Sequence, residues 1–223
     1  MLRLFLFLLL SSYLWASNNI DQIKNYIQNA YEKQYKNYNI HITNISLSIP
    51  ANIPLQDYKI ISIDMDSKSL NKKSANIFLN ATLNNTILKI PLQYEIQATI
   101  DVYKSTSTIK KYQNITDANT IKTQIPLERI AQLPIIKDQI NHISAKSYTP
   151  PNSIITSDKI QSKILIYKDN RFVGIIKNNH INIETTLIAK ENGSKNQIIN
   201  AINPDTKKVI RVKIIDENKG EIL

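Results

Sequence analysis

Between residues 20 and 35 the apolar positions recur at helical spacing: Ile20, Ile23, Tyr26 and Ile27, Ala30 and Tyr31, then Tyr35. Such a stripe predicts an amphipathic helix. Asn18 or Asn19 is placed to cap it, and Asn37 and Asn39 to stop it. From Ile40 the period falls to two. Ile45, Leu47 and Ile49 alternate with polar residues up to Pro50, and Tyr58–Ile63 is a second strand candidate. Ala75, Ile77, Leu79, Ala81 and Leu83 form a third, ended by the turn signal Asn84-Asn85. Leu88, Ile90, Leu92, Tyr94, Ile96, Ala98, Ile100 and Val102 then keep one parity throughout. Fifteen residues at roughly 3.3 Å each span about 50 Å. A run of that length is expected to bend near Pro91 or Gln97 and to pass between two domains, with a boundary near residue 98. Gln97, Ala98, Thr99, Ile100, Asp101, Val102 and Tyr103 are therefore hinge candidates.

Residues 104–162 are weakly periodic, with Pro126, Pro134, Pro150 and Pro151 and closely spaced turn signals. Two segments echo each other. Tyr112-Gln-Asn-Ile115-Thr116-Asp117 leads to Ile121 as Pro151-Asn152-Ser-Ile154-Ile155-Thr156-Ser157-Asp158 leads to Ile160. Thr and Asp in these positions suit the first turn of a short helix, and a half-repeat is expected. The last third reads as a β-meander. Its strands are Ile164–Tyr167, Phe172–Ile176, Ile181–Ala189, Ile198–Ile202 and Val209–Ile215, parted by Asp169-Asn170, Asn178-Asn179, Asn192-Gly193 and Asn203-Pro204-Asp205. The fold class is thus mainly β with one N-terminal helix. It divides into an α+β N-terminal domain, a loop-rich middle and a small C-terminal β-barrel or sandwich.

Composition changes this picture in three places. Only 3 of the 223 residues are Gly while Asn is abundant, so Asn is expected at many positive-φ turn positions. The start, Met-Leu-Arg3 followed by Leu4–Leu10 and a polar stretch ending at Ala16, describes a secretory signal peptide with cleavage after Ala16. No stable membrane insertion is expected once residues 1–16 are removed. The formal net charge is +10, and residues 101–223 carry most of it: 19 basic against 12 acidic, where residues 1–100 carry 9 against 6. That excess favours an acidic partner or surface, and export argues against nucleic acid.

Catalytic chemistry finds no footing. His41, His142 and His180 stand singly, without a His or carboxylate at ligand spacing. Asp64 and Asp66 read as a solvated turn rather than a metal site. Three Gly allow neither a nucleophile elbow nor a phosphate loop, and the absence of Cys removes disulfides and thiolate chemistry. No enzyme, cofactor or metal is expected.

Ile143-Ser-Ala145-Lys146-Ser-Tyr-Thr149-Pro150-Pro151-Asn152-Ser-Ile154-Ile155-Thr156-Ser157-Asp158, and the end from Asn192-Gly193 through Ile199, Ala201, Asn203, Thr206, Lys208, Val209 and Val212, resemble the FlgA family. These are periplasmic chaperones for assembly of the flagellar P-ring. Departures from that pattern are Asn152 and Asn196 where Gly is common, and Thr206 for Ser; Asn can hold the same left-handed backbone. The resemblance covers roughly residues 100–215 and implies a SAF (β-clip) module over 98–162 and a terminal β-domain over 163–223, behind the N-terminal α+β domain, 17–97, that the periodicity marks off. It implies a periplasmic monomer that binds P-ring protein subunits without making or breaking bonds. The candidate partner surface is the basic terminal domain, at Lys195, Lys207, Lys208, Arg211 and Lys213. Asn152, Gly193 and Asn203 are expected to serve turn geometry. The alternative is a secreted peptidoglycan- or polysaccharide-binding module, for which export and charge also speak. An enzyme like the sialic acid synthases, which share the SAF module, would need a large barrel domain that this sequence lacks.

Overall fold

The computed structural model describes residues 19–178 and 181–223. The expected signal peptide, His180 and Asn179 lie outside them. The chain forms two compact units: one holds the described residues up to Val102 together with Thr123–Ala131, the other Tyr103–Lys122 and Gln132–Leu223.

The first unit begins with a helix, α1, over residues 19–34. The side-chain amide of Asn19, in its first turn, donates to the carbonyls of Leu55 (2.7 Å) and Tyr58 (2.9 Å) and so ties the helix start to that loop. A sheet follows, of β1 (His41–Ser48), β2 (Lys59–Asp64), β3 (Ser74–Leu83) and β4 (Thr86–Ser105), in the order β1-β4-β3-β2. The hairpin from β3 to β4 turns on Asn84 (φ 48°) and Asn85 (φ 61°), the two left-handed residues such a turn requires. Every even residue of β4 from Ile90 to Val102 is buried, and Ile77, Leu79 and Ala81 of β3 are fully so. β4 is hydrogen-bonded as one strand across the positions where a bend was expected.

The helical stripe is likewise buried at Ile23, Ile27, Tyr31 and Tyr35, each with no exposed surface. Tyr26 is the member that the helix turns outward. The tyrosine hydroxyls cannot be buried unpaired without cost, and backbone carbonyls take them up. Tyr31 Oη donates to the carbonyl of Lys72 (2.6 Å), with that of Ser69 at 3.1 Å, and Tyr35 Oη donates to that of Leu70 (2.9 Å). The Tyr31 and Tyr94 hydroxyls share a hydrogen bond of 3.1 Å, and their rings meet edge to face. Ser69 and Leu70 lie in the turn Ser67–Asn71 and Lys72 ends it; Asp66 caps its start, its Oδ1 accepting from Lys68 N at 2.9 Å. Asp64 accepts from Asn80 instead (2.9 Å). The two close acids thus serve a cap and a cross-strand contact.

The second unit opens with β5 (Asn114–Ile115) and β6 (Thr120–Pro126); β6 crosses into the first unit at Thr123 and pairs with β4. β7 (Ile143–Ala145) pairs with β5 and with β8 (Ile160–Ser162). These strands surround a core of Ile109, Ile115, Ile135, Ile140, Ile143, Ala145 and Ile155. The expected half-repeat is present, with a fixed offset of 40 residues visible in its hydrogen bonds. Tyr112 N donates to Ala145 O and Asn152 N to Ser105 O; Ala145 N donates to Gln113 O and Ser105 N to Ser153 O; Ile109 and Thr149 donate to each other. Each half therefore satisfies the backbone of the other, as two-fold relatives do. Their corner residues, Tyr112 (φ 71°) and Asn152 (φ 59°), are both left-handed.

β9 (Ile164–Ile166) leads into a closed barrel of β10 (Arg171–Asn178), β11 (Ile181–Ala189), β13 (Ile198–Ile202), β14 (Val209–Asp216) and β15 (Lys219–Ile222), while β12 (Gly193–Ser194) pairs with β9. The barrel resolves the choice between barrel and sandwich. It closes through β15, which lies antiparallel to β14 and parallel to β10. Phe172, Leu187, Ala189, Ile199, Ala201, Val212 and Ile214 fill it together with Ile166.

Two predictions follow from the tyrosine cluster. Tyr31→Phe leaves the Lys72 carbonyl without its donor, and should lower stability by about 1–2 kcal/mol in urea titrations. Burial also raises the phenol pKa values, Tyr35 to about 12 from the usual 10.0, and Tyr31 further in the same direction, aided by its Tyr94 hydrogen bond. Below pH 10 these phenols are neutral in both states and contribute fully. Above it the unfolded chain releases protons that the fold retains, so stability should hold up to about pH 10 and fall beyond it. A midpoint that stays constant through pH 11 would contradict this.

Candidate functional site

The stretch from Asn192 to Lys213 runs from β12, paired with β9, into β13 and β14 of the barrel, and its turn chemistry differs in one respect from expectation. Gly193 is not left-handed: among the described residues no Gly has a positive φ. Gly193 sits in β12, where an added Cβ would come within 2.0 Å of Ile214 Cδ1. What it supplies is room, and Gly174 and Gly220 do the same against Leu187 and Val212. The left-handed step before β13 falls to Asn196 (φ 66°). Asn203 acts through its side chain, whose Oδ1 accepts from the backbone N–H groups of Asp205 (2.9 Å) and Thr206 (3.1 Å), while Lys207 (φ 59°) completes the turn. Of the ten non-Gly residues at positive φ among the described residues, seven are Asn, the rest being Tyr112, Asp169 and Lys207.

The candidate cations separate into two groups. Lys207, Lys208, Arg211 and Lys213 lie on the β13–β14 hairpin, all exposed. Arg211 pairs across the hairpin with Asn200, Lys213 with Ile198, and Val209 with Ile202. Because strand residues alternate, this outer face mixes charge with apolar surface: Val209 is 59% and Ile198 46% exposed. Lys195 is apart from these. It lines a cleft of about 800 Å³ with Lys168, Lys190, Glu191, Asn192 and Tyr112, none of the hairpin cations being present there. Lys168 and Lys190 flank barrel strands as isolated lysines next to turns, and nothing in their spacing predicts that they meet Lys195.

The hinge candidates occupy β4. Gln97, Ala98 and Thr99 pair with Asn44, Ile42 and His41 of β1. Ala98 O also accepts from Leu127 N (2.8 Å). Ile100 and Val102 are fully buried, and Asp101 accepts from Asn39 (2.8 Å). Tyr103, the first residue of the second unit, accepts from Ile155 N at 3.0 Å. Thr99 Oγ1 is buried without a hydrogen-bond partner.

Metal-binding groups of His and carboxylates are absent among the described residues, and no described helix is long and apolar enough to cross a membrane. His41 is exposed on β1, and His142 contributes its carbonyl, which accepts from Lys163 N at 3.2 Å.

Residues 100–222 match the family model described as chaperone for flagella basal body P-ring formation. The chain belongs to this family. Fold comparison agrees: the chain is similar to Salmonella FlgA in its open form, at 14% identity and a TM-score of 0.59, covering 90% of this chain and 92% of that one. It is similar also to flagellar protein FlgA from Thermotoga maritima MSB8, at 13% identity and a TM-score of 0.54, covering 91% of this chain and 72% of that one. Curated protein sequences give no match. As a P-ring formation chaperone the protein is mainly β with a single described α-helix, in common with those structures.

The role of Gly193 is testable. Gly193→Ala should lower stability by about 1–3 kcal/mol through overpacking. Ile214→Val removes the methyl that the new Cβ would strike, so the double variant should recover part of the loss. Additive losses in a double-mutant cycle would count against this contact.

Proposed function

We propose that this P-ring formation chaperone acts by binding ring subunits in the periplasm and shielding their aggregation-prone surfaces, with no bond made or broken. The observation that carries the reading beyond the family match is the outer face of β13 and β14. Exposed Val209 and Ile198 beside Arg211 and Lys213 give the mixture of apolar and guanidinium contacts that protein interfaces favour. Lys207 and Lys208 would extend it with charge that steers an acidic partner.

Strand addition is the weaker mode for this molecule. β1 and β2, the outer strands of the first sheet, break register at Thr43 and Ile61 respectively, and bulges of this kind blunt an edge against pairing. Exposed apolar side chains near β2, Ile61, Phe78 and Ile87, suit surface shielding better. The chain passes between its two units at Val102–Tyr103, Lys122–Thr123 and Ala131–Gln132. These crossings, with Gln97–Tyr103 carrying the first, are the proposed hinge. A scattering profile of a rigid particle, unchanged by the partner, would count against it.

The charge reversals Lys207→Glu, Lys208→Glu and Arg211→Glu, combined, should weaken capture of the purified ring subunit by roughly tenfold or more, and the wild-type interaction should weaken with salt. Undiminished capture would remove the hairpin from the interface. Sedimentation with purified peptidoglycan separates the other reading, a polysaccharide-binding module: co-sedimentation of the protein with sacculi, without subunit capture, would establish that one instead.

A further inference from the structure

The cleft that Lys195 lines lies away from the hairpin face and has its own construction. It is about 800 Å³ in volume, and a neighbouring hollow of about 640 Å³ shares Tyr112 and Asn192 with it and adds Lys110 and Lys111. Taken together as one trough, the two adjoining hollows are lined by five lysines: Lys110, Lys111, Lys168, Lys190 and Lys195. No ion pair holds any of the five among the described residues. The trough has a single acidic side chain, Glu191, and its Oε1 is taken by the N–H (2.9 Å) and side-chain amide (3.3 Å) of Asn200. Five lysines against one carboxylate leave the walls with net positive charge in a concave site, where field lines concentrate.

Tyr112 is the second observation. Its two-fold counterpart is Asn152, and both corners are left-handed. For a bulky L-residue that conformation costs about 1–2 kcal/mol, which Asn partly avoids through its short polar side chain. The trough side alone carries the expensive choice. The backbone there is pinned, Tyr112 N donating to Ala145 O (2.7 Å) and Tyr112 O accepting from Tyr167 Oη (3.3 Å). The ring lines both hollows, with the Lys111 ammonium 4.8 Å from its centroid. Asn192 fixes the opposite wall, its Oδ1 accepting from Lys168 N at 2.8 Å.

We infer that this trough binds an extended, acidic peptide segment of a partner protein. The lysines stand on four separate stretches of chain: beside Tyr112, before β10, after β11 and between β12 and β13. Cations spread around an open trough match a row of carboxylates along an extended chain better than one compact anion. Tyr112 offers a flat apolar surface for the intervening side chains. That the segment belongs to the ring subunit rests on the function proposed above; the trough and its ligand chemistry do not.

The probe is a fluorescein-labelled peptide of alternating Glu and Ser, followed by anisotropy with the purified protein. The wild type should bind in a salt-sensitive manner. Lys168→Glu, Lys190→Glu and Lys195→Glu together should weaken binding by roughly tenfold or more, and Lys110→Glu with Lys111→Glu should also weaken it. Tyr112→Asn, which copies the counterpart corner and should fold, should weaken it severalfold. Lys33→Glu, Lys36→Glu and Lys68→Glu make the same change of net charge on the first unit and should leave binding intact. Absence of wild-type binding, or equal loss in the first-unit control, overturns the proposal. So does retention on peptidoglycan sacculi that only the trough variant loses, without peptide binding, since that assigns the trough to an anionic glycan. Subunit capture is a separate arm. Peptide binding without subunit capture by the wild type overturns the proposed function and leaves the trough standing.

Discussion

The register of β4 is the constraint on which most of the molecule depends. Seven even-numbered residues in succession, Ile90 to Val102, are buried on one face of this strand. A slip of one residue would turn all seven outward, at a cost of about 1.5–3 kcal/mol for each large side chain. That face also meets the helix, since Tyr94 is one of its members and its hydroxyl shares a hydrogen bond with that of Tyr31. Its pairing with β1, β3 and β6 sets the rest of the first sheet. The same strand then runs on to Ser105, which donates to and accepts from Ser153 and Asn152. One strand thus reaches from the helix contact to the first half of the two-fold module, with its even parity buried as far as Val102.

Much of this was legible in the sequence because it rests on periodicity. The stripe from Ile23 to Tyr35, the alternation in β3 and β4 and the meander of the last third correspond to described elements. Asn as a replacement for Gly was legible too, from composition alone. What escaped lacks a periodic signal. β15 is polar and short, and nothing in Lys219-Gly220-Glu221 announces a strand that closes a barrel. Gly193 looked like a turn glycine because it follows Asn, whereas its reason is the Ile214 side chain, twenty-one positions later. The gathering of Lys168, Lys190 and Lys195 around one cleft is a product of barrel closure. Single lysines beside turns look the same whether they line a cleft or face open solvent.

Charge therefore has two distinct settings in the second unit. On the hairpin, Arg211 and Lys213 stand on a convex, mixed surface with exposed Val209 and Ile198. In the trough, five lysines line a concavity together with one carboxylate, Glu191. A convex surface of the first kind gains from apolar burial as well as attraction. A concave one of the second kind gains mainly from the field, and it is the more sensitive to ionic strength.

The exchange of hydrogen bonds between the two halves of the 40-residue repeat also dictates when this part of the chain can exist. Ser105, Ile109 and Tyr112 find their partners only at Ser153, Thr149 and Ala145. Neither half has a self-sufficient backbone, so neither is a stopping point for folding. In the unfolded chain the first half keeps these groups hydrated until the stretch from Ala145 to Ser153 comes to it. The module then closes in one cooperative event dominated by distant contacts, a slow step by the standards of local folding.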